Sequence, residues 1–256
     1  MKVAVCCRGV PVGTSMEFIH IDNGDIHYKD TDYYINECDA YALEAALSLK
    51  NLYGADITVF TLGPLRALEV LYFALAKGVD NVFRIDGETS LPEIVAYGLI
   101  PPLKEIAPQL VLVGAQSDDW MGGEVGIYLS QSLDMGLAFA VVEIGELKDR
   151  NIRIKKEIGG GRKLEVLLTL PAVLCVQSGI QPLRYLSMLK RKKARENPVK
   201  SWGKLNIEDA KQKISGMVTY AVKEVSLPPK GGHAEMVGGD RSQRARKILE
   251  LISNAV

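Results

Sequence analysis

The stretch whose residue types and spacing most suggest chemistry is GAQSDDWMGGEVG at 114–126, where glycines surround two adjacent aspartates. Glycines let backbone N–H groups approach a phosphate closely, and a helix that begins at such a loop adds partial positive charge. The spacing is neither GxxxxGK nor strict GxGxxG, so two readings stand. One is a phosphate cradle; in the other, Gly122 and Gly123 make a turn while Asp118 or Asp119 caps a helix. An acid/base pair from Asp118 and Asp119 is disfavoured, since sequence neighbours rarely face one substrate atom. Cys6, Cys7, Cys38 and Cys175 form no CxxC pair. Cys6 and Cys7, as adjacent strand residues, point to opposite faces, so at least one belongs to the core. His20, His27 and His233 stand at no metal-ligand spacing and are expected on the surface. No GxSxG nucleophile motif occurs. Neither a catalytic residue nor a metal site is expected, and the chain does not read as an enzyme by itself. Lys190, Arg191, Lys192, Lys193 and Arg195 make a basic run that reads as a solvated face, a docking loop or a nucleic-acid patch. Without interleaved aromatics, the nucleic-acid reading is weaker than the docking one.

Composition narrows the classes further. The 256 residues carry 31 basic and 31 acidic side chains, a net charge of zero, which argues against a general nucleic-acid binder. Hydrophobic residues at 47% and charged residues at 24% suit a globular protein. No apolar run approaches the roughly 20 residues that cross a bilayer, so no spanning segment is expected. The opening MKVAVCCRGV lacks the features of a signal peptide, and no Arg/Ser-rich leader is evident. The expected location is the cytoplasm, or the mitochondrial matrix if the source is eukaryotic. The length allows one large domain or a domain with an appendage.

The elements that must position these residues alternate. VAVCC (3–7), DITVFTLG (56–63), NVFRID (81–86) and QLVLVG (109–114) are short apolar runs of the kind covered on both faces. Between them, helical spacing runs from an N-cap at Asn36 to Leu52, with Gly54 as the stop. Further helices are expected after Pro64 to Gly78, from 91 to 107 with a kink or split at Pro101-Pro102, and from 122 to 134. Residues 18–28 suggest a hairpin turning at Asn23-Gly24. Four further strands, at 139–144, 152–158, 163–170 and 172–177, read as antiparallel additions. Residues 178–205 carry few helix or strand signals, which in a compact protein marks a functional or mobile segment. VSLPPKGG reads as a linker before a last helix, 240–254, with no sheet of its own to cover. The expected fold is α/β: a mainly parallel, Rossmann-like sheet with helices on both faces, antiparallel strands added late, and a C-terminal extended arm with a helix. Residues 1–199 form the expected nucleotide-binding domain and 200–256 an arm that packs on a partner.

The order of segments resembles the beta subunit of electron transfer flavoproteins over nearly the whole chain. The resemblance is carried by the opening strand ending in Arg8, the helix introduced by Asn36, Gly63-Pro64, and VLVGAQ with its polar loop and Gly126. Its most specific part is EIGGG (157–161), LPAVLCV (170–176) and RYLSMLKRKKARENPV (184–199), similar to the family's E-I-D-G-G, L-P-A-V, and R-Y-x-S-L with a basic segment and Pro-Val. Pro228-Pro229 and the last helix are similar to its C-terminal arm.

The resemblance implies a heterodimer with an alpha subunit that holds FAD, passing electrons from a donor dehydrogenase of acyl-CoA dehydrogenase type to a downstream acceptor. It implies an adenine nucleotide in this chain, AMP in most members and a second FAD in the electron-bifurcating branch, which oxidises NADH. By position, that nucleotide would meet Val5 and Cys6, Asn36, Glu37, Cys38 and Asp39, then Leu62. It would also meet the loop Gly114, Ala115, Gln116, Ser117, Asp118, Asp119, Trp120, Met121, Gly122, Gly123, Glu124 and Val125. Residues 176–198 match the family's partner-recognition loop, with Arg184, Tyr185, Met188 and Leu189 as partner-binding residues and Met188 as apolar anchor. Several positions depart from the pattern. Ala115 replaces a lysine, Trp120, Met121, Gly123 and Glu124 replace small polar residues or an amide, Gly159 replaces an aspartate, and Asn-Pro-Phe has become Asn36-Glu37-Cys38. Val125-Gly126 leans toward the FAD-binding branch, while Trp120 could stack on a ring or fill the site. AMP, a second FAD and a closed site therefore stand as alternatives. Beside the electron carrier and the bifurcating subunit stands a third function, a nucleotide-sensing regulatory module on the same fold.

Overall fold

A computed structural model describes residues 1–12, 19–22, 25–28, 32–214, 223–227 and 236–255. The described residues fall into two units, 1–19 with 28–221, and 20–27 with 222–256. In chain order the elements are β1 (Lys2–Cys6), β2 (Gly9–Pro11), β3 (Ile19–Asp22), β4 (Asp25–Tyr28), β5 (Tyr33–Ile35), α1 (Glu37–Tyr53) and β6 (Asp56–Gly63). A single 3-10 turn (Leu65–Ala67) leads to α2 (Leu68–Lys77), β7 (Asn81–Asp86), α3 (Pro92–Ile106), β8 (Leu110–Gly114) and α4 (Val125–Leu133). Then come β9 (Gly136–Lys148), β10 (Asn151–Glu157), β11 (Lys163–Thr169), β12 (Ala172–Val176), α5 (Met188–Ala194), β13 (Lys200–Lys204), α6 (Ile207–Ile214) and α7 (Arg241–Ala255).

The first unit is built on a nine-stranded sheet in the order β11-β10-β9-β12-β8-β1-β6-β7-β13. From β9 to β13 all neighbours in that order pair in parallel, and only β10 makes antiparallel ladders, with β9 and β11. Strand alternation sorts the core into two faces. Val3, Val5, Ile57, Leu110, Leu112 and Leu174 pack beneath α1 and α2. Ala4, Cys6, Phe60, Val111, Val113 and Cys175 pack beneath α3 and α4. The fold is therefore the expected α/β sheet with helices on both faces. Cys6 and Cys7 point to opposite faces and are both buried.

Three expectations are corrected. β12 is not an antiparallel addition but a central parallel strand between β8 and β9, buried along the whole AVLCV run. The helix through Pro101-Pro102 is not split: α3 runs unbroken from Pro92 to Ile106, with Leu99 and Leu103 both buried on either side of the pair. Residues 178–205 are not without regular structure, for they hold α5 and β13. Ser187 Oγ caps α5 by accepting from Lys190 N at 3.4 Å. β13 pairs with β7 at the sheet's edge, where Trp202 packs edge-on against Phe60 and Phe83. The sheet thus continues past residue 199, and α6 follows it with Ala210 and Ile214 buried on Ile94.

In the second unit β3 and β4 pair as a two-stranded sheet. The Asn23-Gly24 turn, His233 and Pro228-Pro229 lie outside the described residues, as does the side chain of His27. His20 is exposed. α7 opens on a capping box: Asp240 Oδ1 accepts from Ser242 N and Gln243 N, and Gln243 Oε1 accepts from Asp240 N. Its apolar residues Ile248, Leu249, Leu251 and Ile252 are all exposed. Among the described residues no helix is long and apolar enough to cross a membrane.

Candidate functional site

The chain runs from β1 through α1 to β6 on one side of β1, and later returns through α3 to β8 on the other side. The strand order therefore reverses between β1 and β8, and a crevice opens beyond their carboxyl ends, the place where doubly wound sheets bind ligands. Asp39, in the first turn of α1, spans that reversal. One carboxylate oxygen accepts from Gly114 N at 2.6 Å at the end of β8, the other from Arg8 N at 2.8 Å just beyond β1. Burial pushes its carboxyl up to about 7, against the lowering effect of these hydrogen bonds. Gly114 must lack a side chain, because a Cβ there would lie 2.5 Å from Asp39 Oδ1 and 2.8 Å from Cys38 Cβ.

The polar loop is folded onto the start of α1. Asn36 does not cap that helix with its side chain. Instead its amide donates to Gln116 O at 2.9 Å and accepts from Asp118 N at 2.8 Å. Asp118 supplies the cap from a distance, its carboxylate accepting from Glu37 N at 2.8 Å. The expected aspartate cap thus exists, but on α1 rather than on the helix that follows the loop. Arg8 clamps the next residue: its Nη2 and Nε donate to Asp119 at 2.7 and 3.0 Å, and its Nη1 donates to Thr89 O at 3.3 Å. The Asp119 side chain is only 6% exposed. Within the loop Ser117 N donates to Gly122 O and Met121 N to Ser117 O. Trp120 is partly exposed and Met121 largely so.

At the far end α4 begins at Val125, three residues later than the sequence pattern predicts, because residues 115–124 are spent on that fold-back. Glu124 occupies its N-cap position without a side-chain cap. The first N–H groups of α4, from Val125 on, consequently keep their capacity for an outside acceptor. Gly126 seats the helix tightly on β8 and β12, since a Cβ there would stand 2.3 Å from Cys175 Sγ. Gly123 lies against Ala115 O in the same way, its hypothetical Cβ 2.4 Å away. The start of α1 is thus occupied by the chain's own carboxylate, whereas the start of α4 offers an uncapped helix end beside small residues. Such an end fits a phosphate group. Val5 is wholly buried, and Cys6 and Leu62 nearly so; these positions offer backbone or apolar support.

Burial raises Cys6 and Cys7 far above the ordinary thiol range, lifts Cys38, and pushes Cys175 up to about 12. Among the described residues no group of three His, Cys, Asp or Glu side chains could hold a metal ion.

A second feature is the segment between β12 and β13. Tyr185, Met188 and Leu189 are 88%, 73% and 81% exposed, while Leu186 between them is buried. Arg184 is exposed, with its Nε donating to the buried carboxylate of Glu44. Sequence reasoning missed Arg8 as the clamp on Asp119, and it missed Glu44. The signal for Glu44 was present: it lies four residues after Ala40 and three before Leu47, on the buried side of α1.

These observations define a doubly wound α/β protein with a crevice at the reversal of strand order and an exposed apolar loop. Residues 26–204 match the electron transfer flavoprotein domain. The chain is 31% identical to the electron transfer flavoprotein subunit beta of Methylophilus methylotrophus, over 99% of this chain and 98% of that one. It is 28% identical to the subunit of the same name from Bacillus subtilis, over 92% of each chain. To the caffeyl-CoA reductase–Etf complex subunit CarD of Acetobacterium woodii it is 27% identical, over 93% of this chain and 92% of that one. The chain belongs to the electron transfer flavoprotein family, as a beta subunit.

Proposed function

We propose that this chain is the beta subunit of an electron-carrying heterodimer, not an enzyme by itself. It holds one AMP in the crevice between β1 and β8, while an FAD is held mainly by the alpha subunit. The observation that carries the nucleotide assignment is the uncapped start of α4 beside Gly122, Gly123 and Gly126. Its N–H groups would receive the phosphate, with the backbone after β1 and the 114–125 loop around the rest of the nucleotide. The flavin supplies the one- and two-electron chemistry when bound. This chain's residues shape the crevice, orient the subunits and present the loop 184–195 to a donor dehydrogenase of acyl-CoA dehydrogenase type. Tyr185, Met188 and Leu189 form the apolar docking tip. The uncovered apolar residues of α7 would be buried by the alpha subunit, so that the partner-packing arm starts after α6 rather than at residue 200. Electrons would leave to a downstream acceptor, from a heterodimer in the cytoplasm.

A second reading, a bifurcating subunit with its own FAD, is favoured by the Val125-Gly126 start of α4. One experiment separates the two. The chain is co-expressed with its alpha subunit, and the flavin spectrum is followed after adding either butyryl-CoA with a butyryl-CoA dehydrogenase, or NADH. Reduction through the dehydrogenase alone supports the carrier. Direct reduction by NADH supports the bifurcating reading, and reduction by neither refutes both.

A further inference from the structure

The docking loop is held by a device that the sequence pattern does not reveal. Glu69, Phe73 and Lys77 stand four residues apart along α2 and so form one stripe on its surface. Each member meets one part of the segment 184–195. Lys77 Nζ donates to Arg184 O at 2.5 Å at the root of the loop. Phe73 lies under the Arg191 guanidinium, which is 5.6 Å from the ring centroid and 5.9 Å from that of Tyr34. Glu69 accepts from Arg195 Nη2 at 2.7 Å at the end of α5. Behind the root stands Glu44 of α1. Its carboxylate takes Lys77 Nζ at 2.8 Å on one oxygen and Arg184 Nε on the other.

Burial grades along the stripe. The Glu44 and Lys77 side chains are 2% and 5% exposed, whereas Glu69 and Arg195 are 45% and 61% exposed. An exposed pair holds a loop weakly, because water and salt screen it. The carbonyl that accepts from Lys77 belongs to the residue immediately before Tyr185. The buried Lys77 therefore fixes the chain direction where the exposed tip begins.

We propose that Glu44, Lys77 and Phe73 are positioning residues for partner docking. They set the pose in which Tyr185, Met188 and Leu189 are presented, without touching the partner, and so govern how tightly the donor dehydrogenase is captured. This inference rests on the docking reading above. Surface apolar residues on an ordered helix bind with less entropy lost than the same residues on a loose loop, so weakening the anchor lowers affinity more than turnover.

The test uses the heterodimer with its alpha subunit and FAD. Glu44→Gln keeps the shape but leaves Lys77 without its anion. Phe73→Leu keeps an apolar side chain of similar size but removes the ring beneath Arg191. Both are compared with wild type by amide hydrogen exchange at 186–195 and by the rate of tryptic cleavage at the run 190–193. They are also compared by steady-state reduction, with a butyryl-CoA dehydrogenase and butyryl-CoA as donor. Exchange and cleavage should accelerate about tenfold in Glu44→Gln and less in Phe73→Leu, with slow exchange kept in the central strands. KM for the heterodimer should rise about three- to tenfold while kcat stays within about twofold. Unchanged exchange at 186–195 in both variants overturns the proposal, as does loosening spread evenly over the whole sheet. Met188→Glu leaves the anchor intact and tests docking alone: an unchanged KM in that variant overturns the docking reading, whatever the exchange data show.

Discussion

Gly126→Ala perturbs the helix end on which the nucleotide assignment rests. In an ordinary helix this exchange stabilises by about 1 kcal/mol. Here the new Cβ would stand 2.3 Å from Cys175 Sγ and 2.8 Å from Val113 Cγ2. Comfortable contacts between such atoms are about 3.5–4.0 Å, so α4 must retreat by more than about an ångström. Neither neighbour can yield easily, for Cys175 is 0% and Val113 3% exposed on adjacent central strands. Overpacking of this kind costs about 1–3 kcal/mol, which reverses the sign of the helix-propensity gain. The displaced N–H groups should hold a phosphate about tenfold less well. The assay is urea unfolding of the co-expressed heterodimer, with nucleotide retained after gel filtration measured in parallel. Cys175→Ala removes the clashing sulfur, so the double variant should recover at least about 1 kcal/mol relative to the sum of the single effects. A Gly126→Ala protein as stable as wild type and fully loaded, or a double variant that is simply additive, would refute the packing argument.

Other substitutions probe the rest of the crevice. Arg8→Met leaves the carboxylate of Asp119, 6% exposed, without its partner; it should cost about 2–4 kcal/mol in urea unfolding and speed exchange at 117–122. Asp39 carries a pH signature. Because burial pushes its folded-state carboxyl up to about 7, the folded chain holds a proton that the unfolded chain loses near pH 4. Its contribution to stability is therefore largest below about pH 4 and falls by about 4 kcal/mol as pH rises to about 7. Asp39→Asn should abolish this fall, so wild-type urea midpoints must drop relative to the variant between pH 5 and pH 8; parallel profiles would contradict the assignment. Glu124 places an exposed carboxylate at the N-cap of α4. Glu124→Gln should raise nucleotide affinity about three- to tenfold at low salt, with the gain shrinking as salt is added, as read by calorimetry.

Much of the sheet was legible because buried parallel strands announce themselves as apolar runs. VAVC, DITVFTLG, LVLVG and AVLCV all stand where their sequences suggest. AVLCV was assigned the wrong partners, since an apolar run carries no information about strand direction. β13 escaped notice because KSWGK has a single large apolar residue, and only the aromatic pair Phe60 and Phe83 makes it a strand. α5 escaped because its charged residues gain their order from α2, far away in sequence. In the crevice, the glycines at 114, 123 and 126 could be noticed by type, but their reasons are tertiary: Asp39, Ala115 O and Cys175 stand where a Cβ would go. Arg8 could be read as the end of a strand. That it clamps Asp119, 111 residues away, could not.

The most direct measurement is the identity and stoichiometry of nucleotides released when the co-expressed heterodimer is denatured and analysed by chromatography and mass. The account predicts one FAD and one AMP per heterodimer, with the AMP alone depleted in Gly126→Ala. Two FAD and no AMP would replace the carrier reading with the bifurcating one. No nucleotide beyond a single FAD would contradict the assignment of the α4 helix end as a nucleotide site.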